Sequence, residues 1–155
     1  MSYVDRNLLP GEEVAYRAKL HWIVFVAPVF VFVAAIVLLI ASVGGNRDHA
    51  ALSGTGIVFV IVAGALAFGR WLAWISSEFA VTNKRVLIKV GFIRRHSLEL
   101  LLQKVEGIGV DQGILGRVFD YGTIIVTGTG GTKEPFKNIA APLEFRKQVQ
   151  SRVTA

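Results

Sequence analysis

Residues 22–43 read WIVFVAPVFVFVAAIVLLIASV, an apolar run without a single Asp, Glu, Lys or Arg. A helix of this length rises about 33 Å, slightly more than the roughly 30 Å hydrocarbon core of a bilayer. A second uncharged run, residues 50–69, follows after the short polar segment 44–49. The two runs predict an antiparallel transmembrane hairpin. Its first span covers about residues 22–43, and its second continues past Arg70 and covers about residues 50–75.

The remainder of the chain is long enough for one small domain. The protein has 155 residues, 53% of them hydrophobic, and most of the hydrophobic excess lies in the two runs. Its lack of cysteine excludes disulfides, thiolate metal sites and a cysteine nucleophile. We expect an N-terminal arm at residues 1–21, the helical hairpin at 22–75 and a C-terminal domain at 76–155.

The distribution of basic residues indicates the orientation in the membrane. Lys and Arg close to span ends stay on the cytoplasmic side. The terminal side of the spans carries Arg17, Lys19, Arg70, Lys84 and Arg85, whereas the connecting segment carries Arg47 alone. Both termini are therefore expected in the cytoplasm.

A cleaved signal peptide is the alternative interpretation of the first run, because Ala41-Ser42-Val43 resembles a small-residue cleavage site. Signal peptides have a short basic start and a core of about 7–15 apolar residues. Here a long polar arm precedes a longer run, which favours a retained span.

Aromatic and basic residues mark the expected membrane boundary. They are His21 and Trp22 before the first span, and Arg70, Trp71 and Trp74 in the second. Trp rings favour the headgroup region. A ligand or proton-relay role for His21 would require an ionisable partner in the membrane, and neither apolar run contains one. We interpret these five residues as interface anchors.

Alternation of apolar and polar residues predicts strands in the arm and in the domain. In the arm, Val14, Tyr16, Ala18 and Leu20 alternate with other residues. In the domain, the same pattern predicts strands at 79–81, 86–90, 94–102, 105–110, 123–127 and 132–139. Gly107 and Gly109 indicate a bulge or a close backbone approach in the fourth of these, and Pro135 indicates that the last is an edge strand.

Helical and glycine-rich segments complete the predicted domain. Pro142 favours the start of a terminal helix, with Leu143, Phe145 and Val149 on an apolar face that continues to Val153. Residues 113–119 are interpreted as a helical turn or loop, and Pro28 predicts a bend in the first span. Residues 128–131 favour a hairpin turn, because a phosphate-binding glycine loop opens a helix whereas this segment joins two strands.

Several short motifs, in this order, carry a resemblance to a known family. They are Leu9-Pro10-Gly11-Glu12, His21-Trp22, Thr82-Asn83-Lys84-Arg85-Val86-Leu87, Gly91-Phe92-Ile93-Arg94-Arg95, Leu102-Gln103-Lys104-Val105-Glu106-Gly107-Ile108, Gly113-Ile114-Leu115-Gly116-Arg117, Tyr121-Gly122-Thr123 and Ile139-Ala140-Ala141-Pro142. The chain resembles the bacterial pleckstrin-homology (PH) domain family, in its membrane-anchored branch with two helices before the domain. The resemblance implies an all-β domain of two antiparallel sheets in a partly open barrel, capped by the C-terminal helix. It also implies a bacterial inner-membrane location and homo-oligomers.

A basic set follows the second span and is the candidate contact for anionic lipids. Its members are Lys84, Arg85, Lys89, Arg94 and Arg95. Each Lys or Arg near an anionic surface contributes about 1 kcal/mol. The alternative is that these residues only set the topology. The phosphoinositide pocket of eukaryotic relatives is not expected, because the turn at Asn83-Lys84 is too short.

The sequence offers no pattern for catalysis, a metal or a cofactor. The three histidines lie in separate regions, and neither HExxH nor a phosphate-binding GxxxxGK[ST] motif occurs. Nucleic-acid binding is not expected, because the domain's aromatic residues occupy core-like positions rather than a stacking platform. These are Phe79, Phe92, Phe119, Phe136 and Phe145.

We therefore expect a non-catalytic scaffold or adaptor that binds lipid or protein at the inner membrane. Small residues of the second span, at Ala63/Ala67 and Ala65/Gly69, and the edge strand at Pro135 are candidate self-association contacts. The alternative function is an accessory or regulatory subunit of a membrane enzyme or transporter, with a heterologous membrane-protein partner. An enzyme in its own right would need a polar site that the sequence does not contain.

Overall fold

The chain folds as two units in this computed structural model, which describes residues 3–43, 49–92 and 96–153. One unit contains Trp22–Leu72. The other contains Met1–His21 together with Ala73–Ala155. The expected loop cation Arg47 lies outside the described residues.

Two long helices form the first unit. A 3-10 turn, Trp22–Phe25, leads into α2 (Val26–Ser42), and α3 covers His49–Ser76. The segments Trp22–Ser42 and Leu52–Ser76 are long and apolar enough to cross a membrane. The two apolar helices predicted from the sequence are therefore present. Pro28 lies in the first turn of α2, directly after the 3-10 turn, and the bend predicted there stays a prediction.

Small residues bring α2 and α3 into contact. Ala35 of α2 and Ala63 of α3 are buried. At Gly56, an added Cβ would lie 2.8 Å from the side chain of Leu39, so the helix backbones approach closely there. Ala63 and Ala67 also line an apolar cleft with Pro28 of α2. Ala63 and Ala67 thus serve the contact between the two helices.

Large apolar side chains cover the outside of the same two helices. Phe30 is 70% exposed, Ile40 67% and Ile61 66%. An apolar surface of this extent is unusual for a protein in water and marks a site of membrane or protein contact.

The second unit begins with the short helix α1 (Tyr3–Arg6) and contains a four-stranded antiparallel sheet. Its strands are β1 (Val14–Ala18), β2 (Glu78–Thr82), β3 (Arg85–Val90) and β4 (His96–Leu101), in that spatial order. The strand predicted in the N-terminal arm is thus β1, paired with β2. As predicted, Ala18 and Leu20 are buried while Arg17 is exposed.

A second antiparallel sheet contains β5 (Val105–Asp111), β6 (Tyr121–Gly128) and β7 (Lys133–Ala140). The predicted bulge is present, since the register of β5 against β6 shifts between Val105 and Gly107. Residues 123–127 lie in the central strand, and Pro135 lies in the edge strand β7 as predicted. The segment 128–131 joins two strands, with positive φ at Gly130 and Gly131.

The chain that follows β1 joins the two sheets. The N–H of His21 donates to the carbonyl of Asn138 at 2.7 Å, and the N–H of Ala140 donates to the carbonyl of Lys19 at 3.0 Å. The helix α5 (Pro142–Val153) packs against strands of both sheets. Phe145 and Val149 of α5 are fully buried. The sheets are not closed into a barrel, and the arrangement is compatible with a PH-like fold.

Residues 114–119 form the helix α4 (Ile114–Phe119), which agrees with the helical turn that was one of the two alternatives predicted at 113–119. Buried Gly116 allows α4 to lie against the backbone of Tyr121. Two other details of the domain differ from the predictions. Leu143 and Val153 of α5 are about half exposed, so its buried face is narrower than predicted.

The second difference concerns the aromatic residues. Phe79, Phe136 and Phe145 are buried as predicted, but Phe92 is 52% and Phe119 44% exposed. Phe92 lies two residues beyond the end of β3, and Phe119 is the last residue of α4, so neither lies in a strand whose alternation indicates which face a side chain takes.

Candidate functional site

Those members of the predicted basic set that the structure describes do not form a single patch. Lys84 lies in the β2–β3 turn and Lys89 near the other end of β3. Five residues of strand separate them by about 16 Å. The ammonium of Lys84 donates to the carbonyl of Pro10 at 3.0 Å, and that of Lys89 lies 4.8 Å from the centre of the Tyr3 ring. The remaining two candidates, Arg94 and Arg95, lie outside the described residues.

Arg85 holds the N-terminal arm against the sheet. Its Nε and Nη2 each donate to one oxygen of the Glu12 carboxylate at 3.0 Å. Its Nη1 donates to Glu99 at 2.6 Å, and Nη2 also donates to the carbonyl of Asn7. The Arg85 side chain is only 12% exposed. Its guanidinium is therefore committed within the domain, and we remove it from the candidate lipid contacts.

The turn before β1 positions Glu12, the acidic partner of this ion pair. Residues 9–12 form a turn, which the N–H of Glu12 closes by donating to the carbonyl of Leu9 at 2.9 Å. Gly11, the third residue of this turn, has a φ of +70°, and a type II turn requires a positive φ at that position. Burial alone would raise the pKa of Glu12. Hydrogen bonds from Arg85, from the N–H of Leu9 and from the Thr82 hydroxyl lower that pKa to about 2. Glu12 is thus held ionised.

Two clefts flank the last residues of α3, and both are lined by Ile75 and Glu78; we call them the basal clefts. One has a volume of about 330 Å³ and the other about 360 Å³. The first is lined by Tyr3, Arg6, Ile75, Ser76, Glu78, Lys89, Gly91 and Phe92. The second is lined by Val4, Arg17, Ala18, Lys19, Trp74, Ile75, Ser77, Glu78 and Phe79.

The basal clefts gather basic side chains that are distant in sequence. Lys89 of the predicted set faces the first cleft together with Arg6, and Arg17 and Lys19 line the second. Arg17 pairs with Asp5. The Glu78 carboxylate accepts the N–H groups of Tyr3 and Val4, both at 3.0 Å, at the start of α1. The clefts therefore combine apolar walls with a positively charged rim.

Sequence reasoning missed the arm as a source of site residues. From the sequence, Arg17 and Lys19 served only to assign topology and Arg6 had no assigned role, because the contact of the arm with the sheet depends on pairing across more than 60 residues of chain. The alternation around Tyr16 was the one sequence pattern that pointed to this contact. It predicted a strand in the arm but not the strand with which it pairs.

The predicted interface anchors fall into both units. Trp22 and Trp71 are about half exposed, and the Trp71 ring lies 6.0 Å from that of Phe68 on the same helix. Arg70 is exposed on α3. Trp74 donates its indole N–H to the carbonyl of Leu20 at 2.8 Å. Trp74 therefore ties the end of α3 to the segment that follows β1.

His21 is packed inside the domain. It is 9% exposed, and its ring stacks on that of Tyr121 with 5.3 Å between the ring centres. Burial lowers the pKa of His21, opposed in part by the Asp120 carboxylate and by a hydrogen bond with the Phe119 backbone. The side chain thus joins the start of β6 to the point where the chain leaves the domain.

No group of three or more His, Asp or Glu side chains that could hold a metal ion occurs in the part of the chain that the structure describes. His96 approaches Glu134 at 3.4 Å, and both are at least one-third exposed. An exposed pair of this kind is common on protein surfaces and contributes little to stability.

Comparison with known proteins identifies the family. No curated protein and no solved structure gives a significant match to the chain. A family model described as "Bacterial PH domain" matches residues 22–153. The match includes both apolar helices, both sheets except β1, and α5. The chain therefore belongs to the bacterial PH domain family.

Proposed function

We propose that this protein is a non-catalytic scaffold or adaptor in the bacterial inner membrane. Its two apolar helices cross the bilayer, both termini are cytoplasmic, and the PH domain presents a surface for lipid or protein at the inner leaflet. The observation that carries the proposal is the position of the basal clefts. Ile75 and Ser76 line one of them and are also the last residues of a helix apolar enough to span a membrane.

The charge of the basal clefts suits anionic headgroups. If α3 spans the bilayer, Ile75 and Ser76 lie at its cytoplasmic boundary, within the roughly 8–10 Å over which surface charge acts at cellular salt. Arg6, Lys19 and Lys89 each gain about 1 kcal/mol near such a surface. Arg94 and Arg95, which follow Lys89 in sequence, remain predicted lipid contacts.

Self-assembly is supported by the exposed small residues of α3. Ala63 and Ala67 contact α2, whereas Ala65 and Gly69 are exposed. Small residues four apart allow a second helix to approach closely, so this face suits a second copy of the chain. In the domain, residues 133–137 of β7 form an edge beyond the part covered by residues 19–21, and exposed strand edges pair readily with other strands.

Lipid retention tests the basal clefts. Full-length protein would be placed in nanodiscs of mixed phosphatidylglycerol and phosphatidylcholine, and retained lipids counted by native mass spectrometry. We expect Arg6→Gln/Lys89→Gln to lose most of the retained phosphatidylglycerol, and Arg94→Gln/Arg95→Gln to lose part of it. The control Lys133→Gln/Lys137→Gln removes two exposed charges from β7 and should retain wild-type lipid. Equal retention in all variants would sink the lipid-binding proposal.

Cysteine labelling tests the topology, because the chain has no cysteine of its own. Asn46→Cys in the segment between the spans should react with a membrane-impermeant maleimide in intact spheroplasts. Lys133→Cys in the domain should react only after lysis. The reverse pattern would place the domain outside the cell and overturn the proposed location.

A further inference from the structure

The short helix α4 presents an apolar face outward. Ile114 is 85% exposed, Val118 71% and Leu115 62%. At 100° per residue these three side chains fall on one side of the helix, Phe119 extends that side, and Arg117 lies at its edge. The face is unusual, because large apolar residues on a six-residue segment normally anchor it to a core.

The structure around α4 fixes this face outward. Gly116 is buried, and a Cβ added there would lie 2.6 Å from the carbonyl oxygen of Tyr121. The amide of Gln112 donates to the carbonyls of Gly116 at 3.3 Å and Tyr121 at 3.2 Å. Asp120 ends the helix in the left-handed region, with φ 54°. The glycine side of α4 therefore packs on the domain.

α4 lies beside the exit of the chain from the domain. The backbone of Phe119, its last residue, is hydrogen-bonded with His21, whose ring stacks on Tyr121 directly after α4. His21 immediately precedes Trp22, the first residue of the first apolar span. Leu20, one residue earlier, accepts the indole N–H of Trp74 near the end of the second span. The connection to the first span thus leaves the domain next to α4, and Trp74 is hydrogen-bonded one residue before that point.

From this placement we propose that α4 inserts its apolar face into the bilayer that the two helices cross. The inference rests on the proposed membrane anchoring and adds a third contact, at the boundary between headgroups and acyl chains. Interfacial helices bury their apolar face about 5–10 Å deep in this zone. Arg117 at the edge of the face pairs with lipid phosphate, as expected for a basic residue beside an inserted apolar surface.

A second copy of the chain is the less suitable occupant. A stable interface buries about 800 Å² on each partner, and the few exposed apolar side chains of one six-residue helix cover less than that. A lipid surface needs no such area, because the spans already hold the domain at the membrane. Insertion would restrict the domain to orientations that hold α4 against the leaflet.

Spin-label accessibility tests the insertion directly. Single cysteines at Leu115 and Val118 would carry a nitroxide in the full-length, otherwise cysteine-free protein in nanodiscs with phosphatidylglycerol. We expect the two labels to be relaxed several-fold more by oxygen, which concentrates in lipid, than by a water-soluble nickel chelate. Leu101→Cys is the matched control. This exposed apolar residue ends β4 at the β2–β3 turn, away from residues 20–21, and its label should be relaxed mainly by nickel.

Two further measurements distinguish failure of the α4 insertion from failure of the membrane anchoring. A label at Val37, an exposed residue of α2, reports whether the hairpin itself lies in lipid. Nickel-dominated relaxation at 115 and 118, with oxygen-dominated relaxation at 37, would overturn the insertion of α4 and leave the anchoring intact. Nickel-dominated relaxation at all three would overturn both. Labels at 115 protected from both reagents and within about 20 Å of each other in pulsed distance measurements would assign the face to a second copy and also overturn the insertion.

Discussion

The guanidinium of Arg85 and the carboxylate of Glu12 form a paired hydrogen bond, with both N···O distances at 3.0 Å. Arg85 begins β3, and Glu12 lies in the turn before β1, so the pair joins the arm to the sheet across 73 residues of chain. Two parallel N–H···O bonds between charged groups are among the strongest hydrogen bonds in proteins. Because the arm supplies Arg6, Arg17 and Lys19, this pair also holds the basal clefts together.

Glu12→Gln should destabilise the domain. It leaves Arg85 buried with only Glu99 as a charged partner, and removing one member of a buried ion pair costs about 3–5 kcal/mol when no other partner remains. We expect a loss of about 2–3 kcal/mol, or on the order of 10 °C in the melting temperature of a domain this size. Differential scanning calorimetry of the full-length protein in nanodiscs would measure it.

Glu13→Gln is the matched control, because Glu13 is the exposed neighbour of Glu12. It should melt within about 1–2 °C of the wild type, as surface substitutions usually change stability by less than 0.5 kcal/mol. Equal shifts in the two variants would show that the Arg85 pair does not secure the arm.

The same pair predicts how stability depends on pH. The pKa of Glu12 is lowered from its ordinary 4.5 to about 2, so the folded state favours the ionised carboxylate. Its contribution is complete above about pH 5 and is lost as the pH falls through 4.5 toward 2. The melting-temperature difference between wild type and Glu12→Gln should be constant from pH 7 to 5 and shrink below pH 4. A difference that grew on acidification would contradict this sign.

Gly116→Ala should disturb the packing of α4 against the backbone of Tyr121. The added Cβ would lie 2.6 Å from the backbone carbonyl oxygen of Tyr121, which has little freedom to move. Overpacking of this kind costs about 1–3 kcal/mol, reduced by the better helix propensity of alanine. Gly113→Ala is the control, since no atom lies within 4 Å of its added Cβ and its φ of −69° suits any residue. Identical melting of the two variants would refute the close contact.

Gly56→Leu should loosen the helical hairpin. Its side chain would meet Leu39 of α2, where even a Cβ lies within 2.8 Å. We expect a loss of about 1–3 kcal/mol, seen as unfolding at a lower SDS fraction in mixed micelles. Gly54→Leu projects into open space on the same helix and should unfold like the wild type. If Gly54→Leu were equally damaging, helix propensity or insertion would be responsible rather than packing.

The elements of this fold were predictable wherever local pattern decides structure. The uncharged runs around Val33 and Ile61 predict the two helices, because length and hydropathy suffice for them. Tyr16 and Ile124 lie in strands whose alternating pattern follows from having one buried face. Pro135 belongs to an edge strand, as its missing N–H requires.

The site was not predictable to the same degree, because it depends on contacts between distant parts of the chain. The pattern of β3 offers Arg85 as a surface cation, and nothing local reveals that Glu12 will bury it. Likewise, the apolar side chains of Ile114 and Val118 would be expected to be buried from their residue type alone. Their exposure follows from Gly116, whose missing side chain decides which side of α4 meets the domain.

Native mass spectrometry of the full-length protein, extracted gently with its native lipids, tests the central claim most directly. A self-assembling membrane scaffold predicts a complex whose mass is a whole-number multiple of this one chain, with anionic lipid retained. A mass that requires a second polypeptide in fixed ratio would contradict the scaffold and identify the chain as an accessory subunit of that partner. A single chain without bound lipid would contradict both self-assembly and lipid binding.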